Sequence, residues 1–285
     1  MRARVLNRWR AVEKLVDDWI PRPSVRRDRL FQGWLDLCED PDYLAPPFDG
    51  GGLPVLLVGG VASVPVLFEP MRRWLQRAGC RPDLAPVRYG IDCGERTVAG
   101  VSRTLRRMAD AHGRPVAIVA HSRGGQFARV AAVRHPELVA GMVALGSPLT
   151  DMVAANRVLV AQLTLLGLAG TLGVPRLMSY GCLVGECCQD FRSDLSAPFP
   201  SLPFASVYTE TDLVVRWRSC LDPYARHEKV DTTHSGMLVH PDVFRILGKE
   251  LRGMTPTRPS IMTPAAISQV VPLFARGRQT AAAAA

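Results

Sequence analysis

The sequence is poor in lysine, in aromatic residues and in long apolar runs. Of its 285 residues 7% are aromatic, and only positions 14, 229 and 249 are lysine, so nearly all of its positive charge is arginine. The 35 basic and 26 acidic side chains leave a net charge of +9, which favours anionic partners. The sequence has no zinc-finger spacing and no basic stripe interleaved with aromatic residues. We therefore expect no nucleic-acid partner.

No segment has the pattern of an export signal or of a membrane span. Residues 1–20 alternate charged and apolar side chains and therefore lack the apolar core of a secretory signal peptide. The most apolar stretch, residues 158–174, is barely long enough to cross a bilayer and contains Gln162 and three glycines. We therefore predict a cytoplasmic protein. Its basic first segment, with Trp9 and Trp19, either stays in solvent or lies on an anionic membrane surface.

The seven cysteines are an odd number with no disulfide-framework spacing, which favours reduced thiols. Three of them crowd one loop, at Cys182, Cys187 and Cys188. In an oxidising compartment, a disulfide between this loop and Cys220 would link the loop covalently to a segment near the end of the chain. The sequence leaves that alternative open.

Apolar runs and helical patterns alternate between residues 54 and 254. The runs that predict strands are residues 54–60, 84–88, 116–121, 141–148, 203–212 and 227–234. The patterns that predict helices are residues 68–78, 95–111, 126–134 and 241–251. This alternation requires a parallel sheet with helices on both faces, so the predicted fold class is α/β.

The same patterns divide the chain into three regions. Residues 1–50 hold two amphipathic helical patterns and form a predicted N-terminal helical extension. Residues 51–254 form the predicted α/β domain, and the tail at 255–285, which ends in five alanines, is expected to be disordered. Within the domain, residues 150–202 interrupt the alternation with apolar helical sequence, a Cys/Gly loop and a Pro-rich segment. We interpret this stretch as a cap insertion.

Ser122 follows directly on a buried strand and precedes two glycines and a helix. The window from Ala120 to Gly124, AHSRG, matches the nucleophile-elbow pattern GxSxG except that alanine replaces the first glycine. Small residues are needed there because the sharp turn brings the strand and helix backbones close together. This context predicts a serine held exposed above the end of a sheet, as a nucleophile requires.

A serine nucleophile at such an elbow is followed along the chain by an acid and then by a histidine. Asp212 comes at the end of the fifth predicted strand and His234 at the end of the sixth, where a carboxylate can orient an imidazole. His234 is the predicted general base for Ser122, and Asp212 is the residue predicted to hold its tautomer.

Other residues offer weaker alternatives for the acid and the base. Asp151 follows the fourth predicted strand and is the alternative acid. His227 precedes its strand and would lie at the wrong end of the sheet, and His240 lies at the start of the last helix. His121 adjoins Ser122 but points to the opposite face of its strand.

A nucleophilic serine also needs two backbone donors for the oxyanion that forms on its substrate. The amide of Arg123, the residue after the serine, is the first predicted donor. The second is the amide of Val61, in the loop after the first strand, where Gly59 and Gly60 allow a close backbone approach. The amide of Gly60 is the alternative.

These segments resemble the α/β-hydrolase superfamily and, within it, the bacterial serine lipases and esterases. The resemblance rests on VLLVGGVAS, VAHSRGG with HPELVAGMVALGSP, SVYTETDLVVRWRSC and THSGMLVHP, and spans about residues 54–250. It implies a mostly parallel eight-stranded sheet and hydrolysis of carboxylic esters with neither a cofactor nor a metal ion. The nucleophile, acid, base and oxyanion roles fall on Ser122, Asp212, His234 and the amides of Val61 and Arg123. Acyl transfer to another acceptor, and ligand binding with little turnover, are the alternative functions.

The predicted cap is rich in leucine and valine, which suggests an acyl-chain or lipid substrate. Each methylene group of such a substrate that is buried against this lining would contribute about 0.8 kcal/mol to the binding free energy. The same side chains could instead pack onto the domain and touch no substrate, and the sequence does not decide between the two. The residues concerned are Val158, Leu159, Val160, Leu163, Leu165, Leu166 and Leu168.

Overall fold

The computed structural model describes residues 28–255 apart from positions 88 and 153, and of residues 28–31 and 158 it describes the backbone alone. The predictions for residues 1–27, which include Trp9 and Trp19, lie outside the described residues. The prediction for the tail after residue 255 lies outside them as well.

A parallel sheet forms the centre of the part of the chain that the structure describes. Its six strands are β1 (Pro54–Val58), β2 (Arg81–Leu84), β3 (Val116–His121), β4 (Val139–Leu145), β5 (Phe204–Tyr208) and β6 (Arg226–Lys229). Their order across the sheet is β2-β1-β3-β4-β5-β6, and every neighbouring pair is parallel. Strands β1 and β3 are buried along their whole length because both faces of the sheet are covered, which explains their uninterrupted apolar sequence.

The helices of the described chain lie on both faces of this sheet. They are α1 (Asp28–Glu39), α2 (Pro41–Leu44), α3 (Glu69–Arg77), α4 (Gly94–His112), α5 (Gly124–Arg134), α6 (Arg157–Thr171), α7 (Tyr180–Val184), α8 (Gln189–Ser196) and α9 (Pro241–Met254). Alternate residues of β1 enter two different cores: Leu57 packs with Trp74 of α3, and Leu56 packs with Leu105 of α4. None of these helices is both long and apolar enough to cross a membrane.

The chain has the parallel α/β architecture that was predicted, with two differences in its strands. Each strand predicted from the residues has an observed counterpart, but the two additional strands that the family resemblance implied are not found among the described residues. Strand β2 lies at Arg81–Leu84 rather than at 84–88. It is an edge strand with every second residue exposed, so it needs no continuous apolar run, and the apolar sequence after it misled the prediction.

Residues just before β1 pack into the core on the face of the sheet that α3 and α9 cover. Leu37, Tyr43 and Phe48 are buried there together with Trp74 and Phe244. The ring centroids of Tyr43 and Phe244 lie 5.4 Å apart, in an edge-to-face arrangement. The part of the proposed N-terminal extension that is described therefore contributes to the hydrophobic core of the domain.

The proposed cap insertion at 150–202 holds α6, α7 and α8. Its buried residues Leu163, Met178 and Phe191 belong to the same core as α4 and α5. The segment therefore packs on the α4–α5 side of the sheet.

Candidate active site

Ser122 lies in the sharp turn between β3 and α5. Its φ of 57° places it in the left-handed region, which a residue with a side chain rarely adopts. Its amide donates to the carbonyl of Leu145 at the end of β4, at 2.9 Å. The serine therefore sits on a strained turn at the carboxyl end of the sheet, in the geometry of a nucleophile elbow.

Glycines around this turn let three backbone segments approach one another. A Cβ atom on Gly124 would lie 2.4 Å from the carbonyl oxygen of Val58. One on Gly60 would lie 2.8 Å from the Cβ of Ser122 and 2.8 Å from the nitrogen of Arg123. Any side chain at these positions would push the elbow away from β1 and from the loop that follows it.

Asp212 and His234 form a buried hydrogen-bonded pair. The Nδ1 atom of His234 lies 2.7 Å from Oδ2 of Asp212. The amides of Val214 and Val215 both donate to the other carboxylate oxygen at 2.8 Å. Burial by itself raises the pKa of the Asp212 carboxyl, but His234 and the two amides outweigh it, so the net pKa is below its usual value.

The loops that carry this pair are tied together by two hydroxyl groups. Thr209 and Thr211, which precede Asp212, both donate from Oγ1 to the carbonyl of Thr232, at 2.9 and 3.1 Å. Thr209 is almost fully buried. These bonds hold the turn after β5 against the loop after β6, so they set the position of Asp212 relative to His234.

The imidazole of His234 lies at the end of the sheet that carries Ser122. A Cβ on Gly146, the residue after Leu145, would come 3.2 Å from its Nδ1 atom. Among the contacts of the described residues there is no hydrogen bond between Ser122 Oγ and His234. The structure thus brings Asp212 and His234 into contact and places Ser122 at the same end of the sheet, and in the described chain no hydrogen bond joins Ser122 to His234.

His121, which was not predicted to take part in the site, contacts His234 of this pair. Its Nε2 atom lies 3.0 Å from the carbonyl oxygen of His234, and the two ring centroids are 4.8 Å apart. Burial, together with the neighbouring His234, lowers the pKa of His121 to about 3. His121 is therefore neutral, and its Nε2–H donates to the backbone of His234.

The loop after β1 lies against the elbow. The amide of Gly60 donates to Oγ of Ser63 at 2.9 Å, so this alternative oxyanion donor is already engaged. Within the described chain, the amides of Val61 and Arg123 make no hydrogen bond to the protein. Of the three amides considered as oxyanion donors, those of Val61 and Arg123 thus have no acceptor within the described chain, and that of Gly60 has one.

Two further features support this loop, and neither was predicted from the sequence. Gly90 has a φ of 62°, and a Cβ there would lie 2.6 Å from the nitrogen of Val61. The buried guanidinium of Arg123 donates to the carbonyl of Gly90 at 2.7 Å. The glycine turn after β2 was visible in the sequence, but its contact with Val61 depends on how that turn packs.

The alternative residues lie elsewhere. Asp151 pairs with Arg216 at 2.5 Å in an exposed position. Nε2 of His227 lies 2.8 Å from the carbonyl oxygen of Asp222. Nδ1 of His240 accepts a hydrogen bond from the amide of Asp242 at the start of α9. Among the hydrogen bonds and ion pairs of the described residues, none joins these three side chains to Asp212 or His234.

The apolar residues of the proposed cap divide between two environments. Leu163 is buried, and Leu159 and Leu166 pack against the same core. Leu165 and Leu168 are exposed. In the described chain, the group of side chains that could hold a metal ion consists of four cysteines and includes neither Asp212 nor His234.

Comparison with known proteins supports the fold. A family model described as the α/β-hydrolase fold matches residues 92–166. A comparison with curated proteins finds no match. Three solved structures superpose with a TM-score of 0.53: the mature lipase BlEst2 from Bacillus licheniformis, a metagenomic carboxyl esterase, and a soluble variant of monoglyceride lipase from Saccharomyces cerevisiae in complex with a substrate analogue.

The coverage of these superpositions is broad although the sequence identities are low. The Bacillus lipase is 18% identical and covers 74% of this chain and 96% of its own. The esterase is 14% identical and covers 72% and 76%, and the yeast lipase is 14% identical and covers 74% and 91%. Identities of this size establish the fold alone. The chain therefore has the fold of the α/β-hydrolase superfamily, as its resemblance predicted.

Proposed function

We propose that this protein is a serine hydrolase that cleaves carboxylic esters, with Ser122 as nucleophile, His234 as general base and Asp212 as the acid. The observation that carries the proposal is the buried hydrogen bond between His234 and Asp212, beside the strand ends where Ser122 occupies the elbow. A carboxylate on Nδ1 leaves Nε2 of the imidazole free to accept a proton, which is what a serine nucleophile requires.

The reaction would proceed through an acyl-enzyme. Oγ of Ser122 attacks the ester carbonyl while its proton moves to Nε2 of His234, and the amides of Val61 and Arg123 bind the oxyanion. The leaving alcohol takes that proton as the C–O bond breaks. Water then attacks the acyl-enzyme and gives a proton to His234, which returns it to Ser122 as the acid leaves. Asp212 stays ionised throughout and stabilises the imidazolium.

An acyl or lipid ester is the proposed substrate class. The superposed structures are named as lipases and an esterase, which supports ester chemistry, although a fold by itself does not determine a function. Leucines of α6 that are not packed into the core remain available to an acyl chain. A cytoplasmic location, peripheral contact with a membrane and a cap formed by residues 150–202 belong to the same proposal.

A fluorophosphonate probe tests the nucleophile. We expect the wild-type chain to be labelled and the Ser122→Ala variant to be unlabelled and inactive on p-nitrophenyl esters from acetate to palmitate. Turnover of the long esters would support the acyl substrate, and faster turnover of acetate would contradict it. A wild-type chain that resists the probe yet binds such esters tightly would instead indicate a binding protein.

A pair of variants tests the acid. Asp212→Asn should lower kcat by roughly 10⁴-fold because the amide favours the wrong tautomer of His234. Asp151→Asn removes a carboxylate that contacts Arg216 at the surface, so we expect nearly unchanged activity. The assignment would be wrong if the Asp151 variant alone lost activity.

A further inference from the structure

Four cysteine side chains meet beside the elbow. Cys93 immediately precedes α4, and Cys182, Cys187 and Cys188 come from the short helices between α6 and α8. Their sulfur atoms all lie within 4.8 Å of one another. The sulfur of Cys93 is 3.9 Å from that of Cys187 and 3.6 Å from that of Cys188, and the sulfurs of Cys182 and Cys187 are 3.4 Å apart.

These separations fit a single tetrahedral metal ion. Zinc binds thiolate sulfur at about 2.3 Å, so the four sulfurs of a tetrahedral site lie about 3.8 Å from one another. The bonded sulfurs of a disulfide are only about 2.0 Å apart. None of the seven cysteines, all of which lie in the described chain, forms a disulfide, and Cys220, the disulfide partner that the sequence left open, is not a member of the group.

Three features near the sulfurs stabilise negative charge. Cys93 is the N-cap residue of α4, so its side chain lies next to the positive end of that helix. The amide of Ser179 donates to the sulfur of Cys182 at 3.3 Å. A helix N-terminus and N–H donors of this kind stabilise bound thiolates. The buried guanidinium of Arg123 adds a positive charge that interacts with Cys93, Cys182 and Cys188.

We propose that Cys93, Cys182, Cys187 and Cys188 bind one zinc ion in a closed, structural site. Four thiolates complete the coordination of zinc and leave no position for a substrate, so the ion has no part in ester cleavage. Cys187 is exposed and gives the ion a path from solvent, while the other three cysteines are buried. The thiols release their protons to solvent as the ion binds. This proposal does not depend on the proposed function.

The ion would join parts of the chain that support the elbow. It links the start of α4 to the segment that contains α7, next to Met178, whose sulfur contacts the guanidinium of Arg123. Arg123 in turn holds Gly90 against the loop of Val61. We therefore expect loss of zinc to lower the thermal stability of the chain.

Metal analysis of the full-length protein tests the site. Protein produced in zinc-supplemented medium and gel-filtered should contain about one zinc ion per chain by mass spectrometry. The zinc content should fall at least roughly tenfold in Cys93→Ser and Cys188→Ser. Cys38→Ser and Cys220→Ser are matched controls outside the group, and they should keep the metal.

Two measurements on the wild-type chain remain decisive if a ligand variant fails to fold. Protein loaded with cobalt should show the visible absorption bands of a tetrahedral cobalt thiolate. After denaturation in a chelator, all seven cysteines should react with a thiol reagent. The proposal is overturned by a wild-type chain without zinc, by zinc that persists in Cys188→Ser, or by fewer than seven reactive thiols, which would show disulfides instead.

Discussion

At the scale of single residues, burial decides which groups of the site can carry charge. His121 and His234 lie with their rings 4.8 Å apart, so two imidazolium cations would repel each other. His121 is 5% exposed and its Nδ1 atom has no hydrogen-bond partner in the described chain. Because burial keeps His121 neutral, it does not oppose a positive charge on the neighbouring imidazole of His234. Its Nε2–H meanwhile donates to the backbone carbonyl of His234.

His121 should make the stability of the protein depend on pH. Burial lowers its pKa to about 3 in the folded chain from 6.5, so the unfolded chain takes up the proton first as the pH falls. The free energy of unfolding should therefore drop between pH 6.5 and 4, with a contribution of up to about 1.4 kcal/mol per pH unit. Urea unfolding at several pH values measures this slope.

The matched variant for this measurement is His121→Gln, which keeps a donor for the carbonyl of His234 but does not titrate. We expect it to have a shallower slope than the wild-type chain over the same pH range, whatever its stability at neutral pH. Equal slopes in the two proteins would mean that His121 does not resist protonation.

At the scale of elements, the site depends on how closely β1, β3 and α5 approach. The elbow places Gly124 against the carbonyls of Val58 and Gly59, and no movement of one side chain could make room there. Backbone contact at this crossing holds the serine at its position. The glycine of the motif therefore acts through packing between elements, beyond its own conformational freedom.

Gly124→Ala should destabilise the protein by about 2–3 kcal/mol, because its Cβ would lie 2.4 Å from a backbone oxygen. We also expect weaker labelling of Ser122 by a fluorophosphonate. Denaturant unfolding and probe labelling measure the two effects.

Gly100→Ala provides the control for this substitution. Gly100 lies in the middle of α4, and its new Cβ would make an ordinary contact of 3.6 Å with Pro86. Alanine favours a helix, so this change should raise stability by about 0.5–1 kcal/mol. If both variants behaved alike, close packing at the elbow would not be the reason for its glycine.

At the scale of the whole molecule, a buried ion pair joins segments that are distant in sequence. Nε of Arg129, on α5, donates to Asp222, before β6, at 2.6 Å, and both side chains are almost fully buried. The same guanidinium donates to the carbonyls of Asp194 and Ala197 at the end of α8. Arg129 thus connects the elbow helix to the end of the proposed cap.

Arg129→Leu should destabilise the protein by about 3–5 kcal/mol, because it leaves the carboxylate of Asp222 buried without its partner. Arg216→Ala breaks the exposed pair with Asp151 and should cost about 0–1 kcal/mol. Urea unfolding of the two variants measures the difference. Similar losses would indicate that Asp222 finds water or another donor when Arg129 is removed.

Much of the fold and of the candidate site could be predicted from neighbouring residues. The apolar run at Val116–His121, followed by Ser122 and glycines, has its strand and its turn as expected. The pairing of Asp212 with His234 followed from their places after two successive strands. The edge strand β2 was misplaced because its exposed residues carry no apolar pattern.

The sequence by itself determined the alternation of strands and helices and the sharp turn at Ser122, because these depend on residues close together in the chain. Only the tertiary structure decided which distant groups meet. Cys93 and Cys188 are 95 positions apart, and Arg123 reaches Gly90 across 33 positions. Such contacts depend on how helices and loops pack on the sheet, and no local pattern of side chains records that packing.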